Sequence, residues 1–244
     1  MRKILSYTRR AADDFNMIEE GDKIAVGVSG GKDSLTLMLA MRNLQRFYPK
    51  KFDLVAITLS MGYEDMDFSE IKKLCEENDI EYIIEPTEIA KIVFDIRKEP
   101  NPCSLCAKMR RGALHDVAIK HGCNKVALGH HFDDVIETFF LCLFNEARIS
   151  CFSPVTYLDR RKIHLIRPFI YMPEKEIKRF TAANDIPVVF NPCPADGHTQ
   201  RQYMKDLIAK LAHENKGLKD RIFHAVKNSD IKGWKTDVQD SGIQ

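Results

Sequence analysis

With 244 residues, the chain is long enough for one α/β domain with a sizeable core and short appendages. An apolar fraction of 44% beside 30% charged residues excludes fibrous and disordered classes, and a net charge of +2 is too small to argue a nucleic-acid partner. No apolar run approaches the roughly 20 residues that span a bilayer, and residues 1–10 lack a signal-peptide core, so no membrane partner and a cytoplasmic location are expected.

Residues 1–19 read as an amphipathic helix with Arg2, Lys3, Arg9 and Arg10 on its outer face, and Glu20-Gly21-Asp22 turns into the first strand. That strand, Ile24-Ala25-Val26-Gly27-Val28, is a short apolar run of the kind buried in parallel sheets. Ser29-Gly30-Gly31-Lys32-Asp33-Ser34 follows, and then Leu35, Leu37, Met38, Leu39, Met41, Leu44 and Phe47 recur at spacings that put most of them on one helical face. Strand, glycine pair, lysine and helix start make a phosphate cradle, in which turned backbone N–H groups and the helix dipole face an anion. It is not a Walker loop, because Val26 stands where the first glycine belongs and Asp33 follows the lysine.

Further strands are expected at 53–59, 81–85 and 125–129, and helices at 67–78, 104–121 and 132–145. Beyond 150 the pattern predicts a strand near 163–167, a helix near 173–184, a strand near 187–190 and a basic helix over 199–214, with the last fifteen residues frayed. This alternation predicts an α/β fold with a doubly wound parallel sheet. The division expected is an N-terminal helix over 1–20, a nucleotide domain over 21–215, and a C-terminal helix and tail over 216–244.

Gly129-His130-His131-Phe132-Asp133-Asp134 follows the fourth strand and opens a helix, so it should share a crevice with the first loop. Two carboxylates beside a triphosphate suit magnesium binding or proton removal. Asp134 is the expected chemical group and Asp133 its support. Helix capping by one of them, or a zinc site with the two histidines, are the alternatives.

Of seven cysteines, Cys75, Cys123, Cys142 and Cys151 read as buried small hydrophobes. Cys103 and Cys106 form a C-x-x-C after Pro100-Asn101-Pro102, and Cys193 lies between Pro192 and Pro194. These three suit zinc with a histidine as fourth ligand, an iron–sulfur cluster with one open iron, a redox dithiol, or no cofactor. The basic residues Arg110, Arg111, Arg160, Arg161 and Arg201 form no run. Scattered basic residues usually form solvated faces, but if the fold gathers Arg110, Arg160, Arg161 and Arg201 at the crevice, they make a phosphate-contacting rim whose binding weakens with salt.

Taken in order, the S-G-G-K-D-S loop, Cys103-Ser104-Leu105-Cys106 with Arg110-Arg111-Gly112, the Gly129-to-Asp134 turn, Arg167-Pro168-Phe169 and Cys193 resemble the tRNA 2-thiocytidine synthetase family of PP-loop ATP pyrophosphatases. The segment Phe15 to Asp22 is similar as well, and the likeness runs from about residue 3 to about 210. The resemblance implies an ATP-dependent tRNA sulfurtransferase that adenylates the C2 oxygen of a cytidine and replaces it with sulfur. It implies a [4Fe–4S] cluster on Cys103, Cys106 and Cys193. Ser29, Gly30, Gly31, Lys32 and Ser34, with Gly129 and His130, would hold ATP, and Asp33 would lie near Mg2+. Asp134, Asp133, Lys32 and Arg110 would serve the chemistry, while Arg111, Arg160, Arg161 and Arg201 would contact tRNA. A sulfur-donor protein such as a cysteine desulfurase is the implied second partner, and a homodimer is left open. The zinc-binding cysteine pairs of thiouridine-forming relatives are missing. Two rivals remain, a PP-loop enzyme that adenylates a small molecule or another RNA base with structural zinc on its cysteines, and a nonenzymatic ATP sensor.

Overall fold

The computed structural model describes residues 1–63, 66–98, 102–190, 192–194 and 199–235. Six strands, β1 (Asp22–Gly27), β2 (Phe52–Ser60), β3 (Glu81–Pro86), β4 (Lys125–Ala127), β5 (Val155–Leu158) and β6 (Ile163–Ile166), form one sheet in the order β3-β2-β1-β4-β6-β5. All neighbours are parallel except β5, which runs antiparallel to β6. The sheet is the doubly wound α/β type that the alternation predicts.

Successive strand residues point to opposite faces, and here both faces are covered, so the middles of the central strands are apolar on both sides. Ile24, Val26, Leu54 and Ala56 enter the larger core. It is built with α1 (Arg2–Asp14), α2 (Lys32–Gln45), α3 (Ser69–Glu77), α5 (Phe132–Glu146), α6 (Glu174–Ala183), α7 (Gln200–Glu214) and α8 (Leu218–Asn228). Ala25, Val55 and Val126 face the other way, against Leu114, Val117 and Ala118 of α4 (Pro102–Lys120). At the amino ends of β1 and β4, buried Lys125 pairs with buried Asp22 at 2.8 Å and donates to the Met17 carbonyl. Among the described residues no helix is long and apolar enough to cross a membrane.

Five expectations need correction. The first helix ends at Asp14, because Asn16 turns left-handed at φ 42°. Residues 187–190 are no strand; they lie beyond the sheet and make a backbone bond to a loop instead. β5 is unforeseen, being four residues between Pro154 and a tight turn, and so is a π-helical turn at Lys91–Arg97. Fraying does not reach the start of the last fifteen residues, since Trp234 is fully buried; 236–244 lie outside the described residues. Cys75 and Cys123 are buried as read, but Cys142 and Cys151 are only half-buried.

Candidate active site

The strand order reverses at β1 and β4, so the loops after these two strands face each other beyond the carboxyl ends of the sheet. In the first loop Gly30 takes φ +83°, a conformation glycine adopts without steric cost. Gly31 begins α2, and no side chain caps that helix, so its first-turn amides are presented to the crevice. Ser34 braces the loop, accepting from the Ser29 N–H at 3.1 Å and donating to the Gly31 carbonyl at 2.9 Å. Gly129 lies hard against this loop. A Cβ there would sit 3.2 Å from the backbone of Asp33 and Ser34, so a bare backbone permits the two loops to close.

Each acidic side chain of the second loop is already held. His131 caps α5, its Nδ1 accepting from the Asp134 N–H while Asp134 Oδ2 accepts from the His131 N–H. The capping expected of one aspartate therefore falls to Asp134, the residue read as the chemical group. Its other oxygen takes the Arg201 guanidinium at 3.0 Å. Burial alone would raise the Asp134 pKa, but the neighbouring His131, His130 and Arg201 outweigh it and hold the carboxyl low. Asp133 accepts the Glu174 backbone N–H at 2.8 Å and Lys219 Nζ at 2.6 Å, a bracing role.

Glu137, one turn further along α5, is buried, and its carboxyl is pushed up to about 7 by burial and by the charges of Asp134 and Asp133, with Arg201 and Lys205 opposing. Because folding raises this pKa from 4.5, the folded chain binds the extra proton, and stability falls as pH rises from 4.5 to about 7. Glu137→Gln should therefore gain on the order of 2 kcal/mol at pH 8 and nothing near pH 4. Urea unfolding at the two pH values checks this, and an equal effect at both would contradict it.

Lys32 reaches from the first turn of α2 to Asp33 Oδ2 at 2.9 Å and Glu174 Oε1 at 3.0 Å. Glu174 was not foreseen. It opens α6, far along the chain, and only the sheet's topology brings it to the loop. Arg167 was noted only as part of a sequence likeness. Its guanidinium is buried over the Phe152 ring at 4.9 Å, and the His130 ring lies 5.0 Å from the same phenylalanine. Burial, then the Arg167 charge, pushes His130 down to about 4, so its imidazole is neutral.

Cys103 and Cys106 stand in the first turn of α4, and Cys193 approaches them from residues 192–194. Burial raises the Cys106 thiol, Arg110 counters this, and the nearby Cys193 and Cys103 raise it further. Tyr63, also unforeseen, hydrogen-bonds Cys193 and feels Cys106 and Arg110; burial foremost lifts its phenol to about 12. Its sequence signal was only its position past the carboxyl end of β2. Thus the three cysteines and Arg110 share one neighbourhood. Among the described residues no three His, Cys, Asp or Glu side chains converge as the shell of a single metal ion requires. Neither zinc arrangement considered above is preassembled.

The expected arginine rim is not assembled. β6 runs parallel to β4, so Arg160 and Arg161 on the β5–β6 turn lie at the amino ends of the strands, opposite the crevice. There Arg161 pairs with Asp116. Arg111 lies exposed along α4, bonding the Ala107 carbonyl, and Arg201 alone of the late residues sits at the crevice, on Asp134.

The PP-loop domain family model matches residues 5–211. The tRNA-cytidine(32) 2-sulfurtransferase of Geobacter metallireducens is 41% identical over 230 residues, covering 93% of this chain and 90% of that one. The protein of the same name from Geobacter sulfurreducens is 39% identical with equal coverage. Among solved structures, the U34-tRNA thiolase NcsA from Methanococcus maripaludis, determined with its [4Fe-4S] cluster, superposes with a TM-score of 0.73 at 25% identity, covering 98% of this chain and 88% of NcsA. By sequence along its length and by fold, the chain belongs to the PP-loop domain family and, within it, to the tRNA 2-thiocytidine synthetases, a family of tRNA sulfurtransferases.

Proposed function

We propose that this protein replaces the C2 oxygen of a cytidine in tRNA with sulfur at the expense of ATP, the base being the one for which its relatives are named, position 32. One observation carries the reading. The Val189 N–H donates to the Gly30 carbonyl at 3.0 Å, so the segment that ends in Cys193 hangs from the phosphate loop itself. This tie supports the reading that nucleotide chemistry and thiol chemistry share one crevice.

The loop amides, Ser29, Ser34 and the Lys32 ammonium bind the triphosphate. Asp33 Oδ1 is buried without a hydrogen-bond partner, an oxygen suited to a hard cation such as Mg2+. The C2 oxygen of the base is a poor leaving group. Its attack on the α-phosphorus releases pyrophosphate and converts it to part of AMP, a good leaving group, and sulfur addition at C2 then expels AMP. Arg110, one helical turn beyond Cys106, stabilises the negative charge that develops there. Three thiols in one neighbourhood are a donor set that fits an iron–sulfur cluster, held by Cys103, Cys106 and Cys193. When bound, such a cluster would supply the sulfur that the base receives. A cysteine desulfurase is the donor class that replenishes that sulfur.

The test is anaerobic incubation with ATP, Mg2+, a sulfide source and unmodified tRNA, followed by nucleoside analysis and iron, zinc and acid-labile sulfide assay. Thiolated cytidine, AMP in equal amount, and iron matched by sulfide are expected. Zinc without sulfide, together with AMP release independent of tRNA, would overturn the reading in favour of small-molecule adenylation.

A further inference from the structure

Three ammonium groups surround one carboxylate at the edge of the phosphate loop. Glu174 Oε1 takes Lys32 Nζ at 3.0 Å and Lys205 Nζ at 2.8 Å, and Glu174 Oε2 takes Lys178 Nζ at 3.3 Å. Because Lys32 and Lys205 share one oxygen atom, their nitrogens lie within about 6 Å of each other, close enough to repel strongly in a half-buried setting. Lys205 comes from α7, far along the chain from α2, so this approach is a product of the fold alone. Among the described residues Asp33 is the only other carboxylate paired with Lys32, so three ammoniums stand against two paired carboxylates, with Glu137 adding its charge near Lys205. Burial would lower the Lys205 ammonium, but Glu174 and, after it, Glu137 outweigh it and keep it charged.

This geometry matches an oligophosphate. Two ammoniums at about that separation can each bond an oxygen of neighbouring phosphates, and a polyanion compensates two lysines more fully than one carboxylate does. We propose that Lys205 is a second ligand for the β- and γ-phosphates of the nucleotide, delivered from α7 and acting together with Lys32. Glu174 is the carboxylate with which that anion exchanges, keeping the two ammoniums together and aimed at the loop. The inference rests on the nucleotide reading above, and it adds a residue outside the loop motif to the binding of pyrophosphate.

The test uses the full-length chain and titrates ATP, inorganic pyrophosphate and AMP calorimetrically against the unaltered protein, Lys205→Gln and Lys205→Arg. A ligand of the outer phosphates predicts at least tenfold weaker ATP and pyrophosphate binding in Lys205→Gln, partial recovery in Lys205→Arg, and AMP binding unchanged in both. AMP serves as the internal measure of an intact fold. Equal loss for AMP and ATP would show that Lys205 only supports the loop, and no loss for any ligand would show that it stays with Glu174; either result overturns the proposal while leaving the PP-loop reading in place. Failure of the unaltered protein to bind ATP would overturn both.

Discussion

Cys193→Ala is expected to abolish thiolation while leaving ATP affinity within about twofold of the unaltered protein, since its thiol is not among the phosphate ligands. Two contacts of the segment that carries it matter here. Its backbone is tied to the Gly30 carbonyl through Val189, and its thiol bonds Tyr63. The substitution removes the second tie and spares the first, so the loop keeps its shape. Losing one half-exposed hydrogen bond costs about 1 kcal/mol, too little to unfold the chain. Iron and labile sulfide should fall to background in the variant, with no thiolated cytidine formed, while an ATP titration remains near normal. Loss of ATP binding in a folded Cys193→Ala protein would mean that the thiol supports the loop directly, and the separation of roles drawn here would be wrong.

Gly30→Val is expected to do the reverse and damage both functions together. Gly30 sits at φ +83°, where an L side chain costs about 1–2 kcal/mol. A Cβ there would also lie 3.0 Å from the Val189 Cβ, closer than side-chain carbons tolerate. The loop can relieve that contact only by pushing Val189 and its neighbours away, which breaks the Val189-to-Gly30 bond. ATP binding should weaken by tenfold or more, and cluster incorporation should fall with it. Gly31→Ala is the control for stability. Gly31 has an ordinary φ of −81°, and its nearest neighbour to an added Cβ is Ser29 Oγ at 3.5 Å, so its melting temperature should stay near that of the unaltered protein. If Gly30→Val retains its iron while losing ATP, the segment is positioned by something other than the loop.

What could be read from the chain alone follows a physical divide. The phosphate loop and the Gly129-to-Asp134 turn were legible because each is a local device, a strand end, a small-residue turn and a helix start, whose neighbours in sequence are its neighbours in space. That they face each other was legible from the rule for open sheets, and the close approach of Gly129 to Asp33 and Ser34 is what that rule required. Glu174, Lys205 and Tyr63 were not legible. Each touches the site through a contact between distant segments, with no spacing pattern to announce it. The same blindness explains the arginine rim. Arg160 and Arg161 look like crevice residues by composition, and only the direction of β6 puts them at the opposite end. β5 escaped notice because four residues of alternating character carry little periodicity, and a partner strand rather than propensity makes them a strand.

Trp234, the only tryptophan in the chain, is fully buried, its indole N–H donating to the Phe152 carbonyl and its rings set edge-on to Phe15 and Phe223. Phe152 in turn carries His130 and Arg167 against its ring. The protein therefore contains a native fluorophore one residue away from His130 of the second crevice loop. Its emission will be blue in the folded chain and red once the indole meets water. A shift at Phe152 reaches the same chromophore, so folding and rearrangement near that loop can both be followed optically with no label attached.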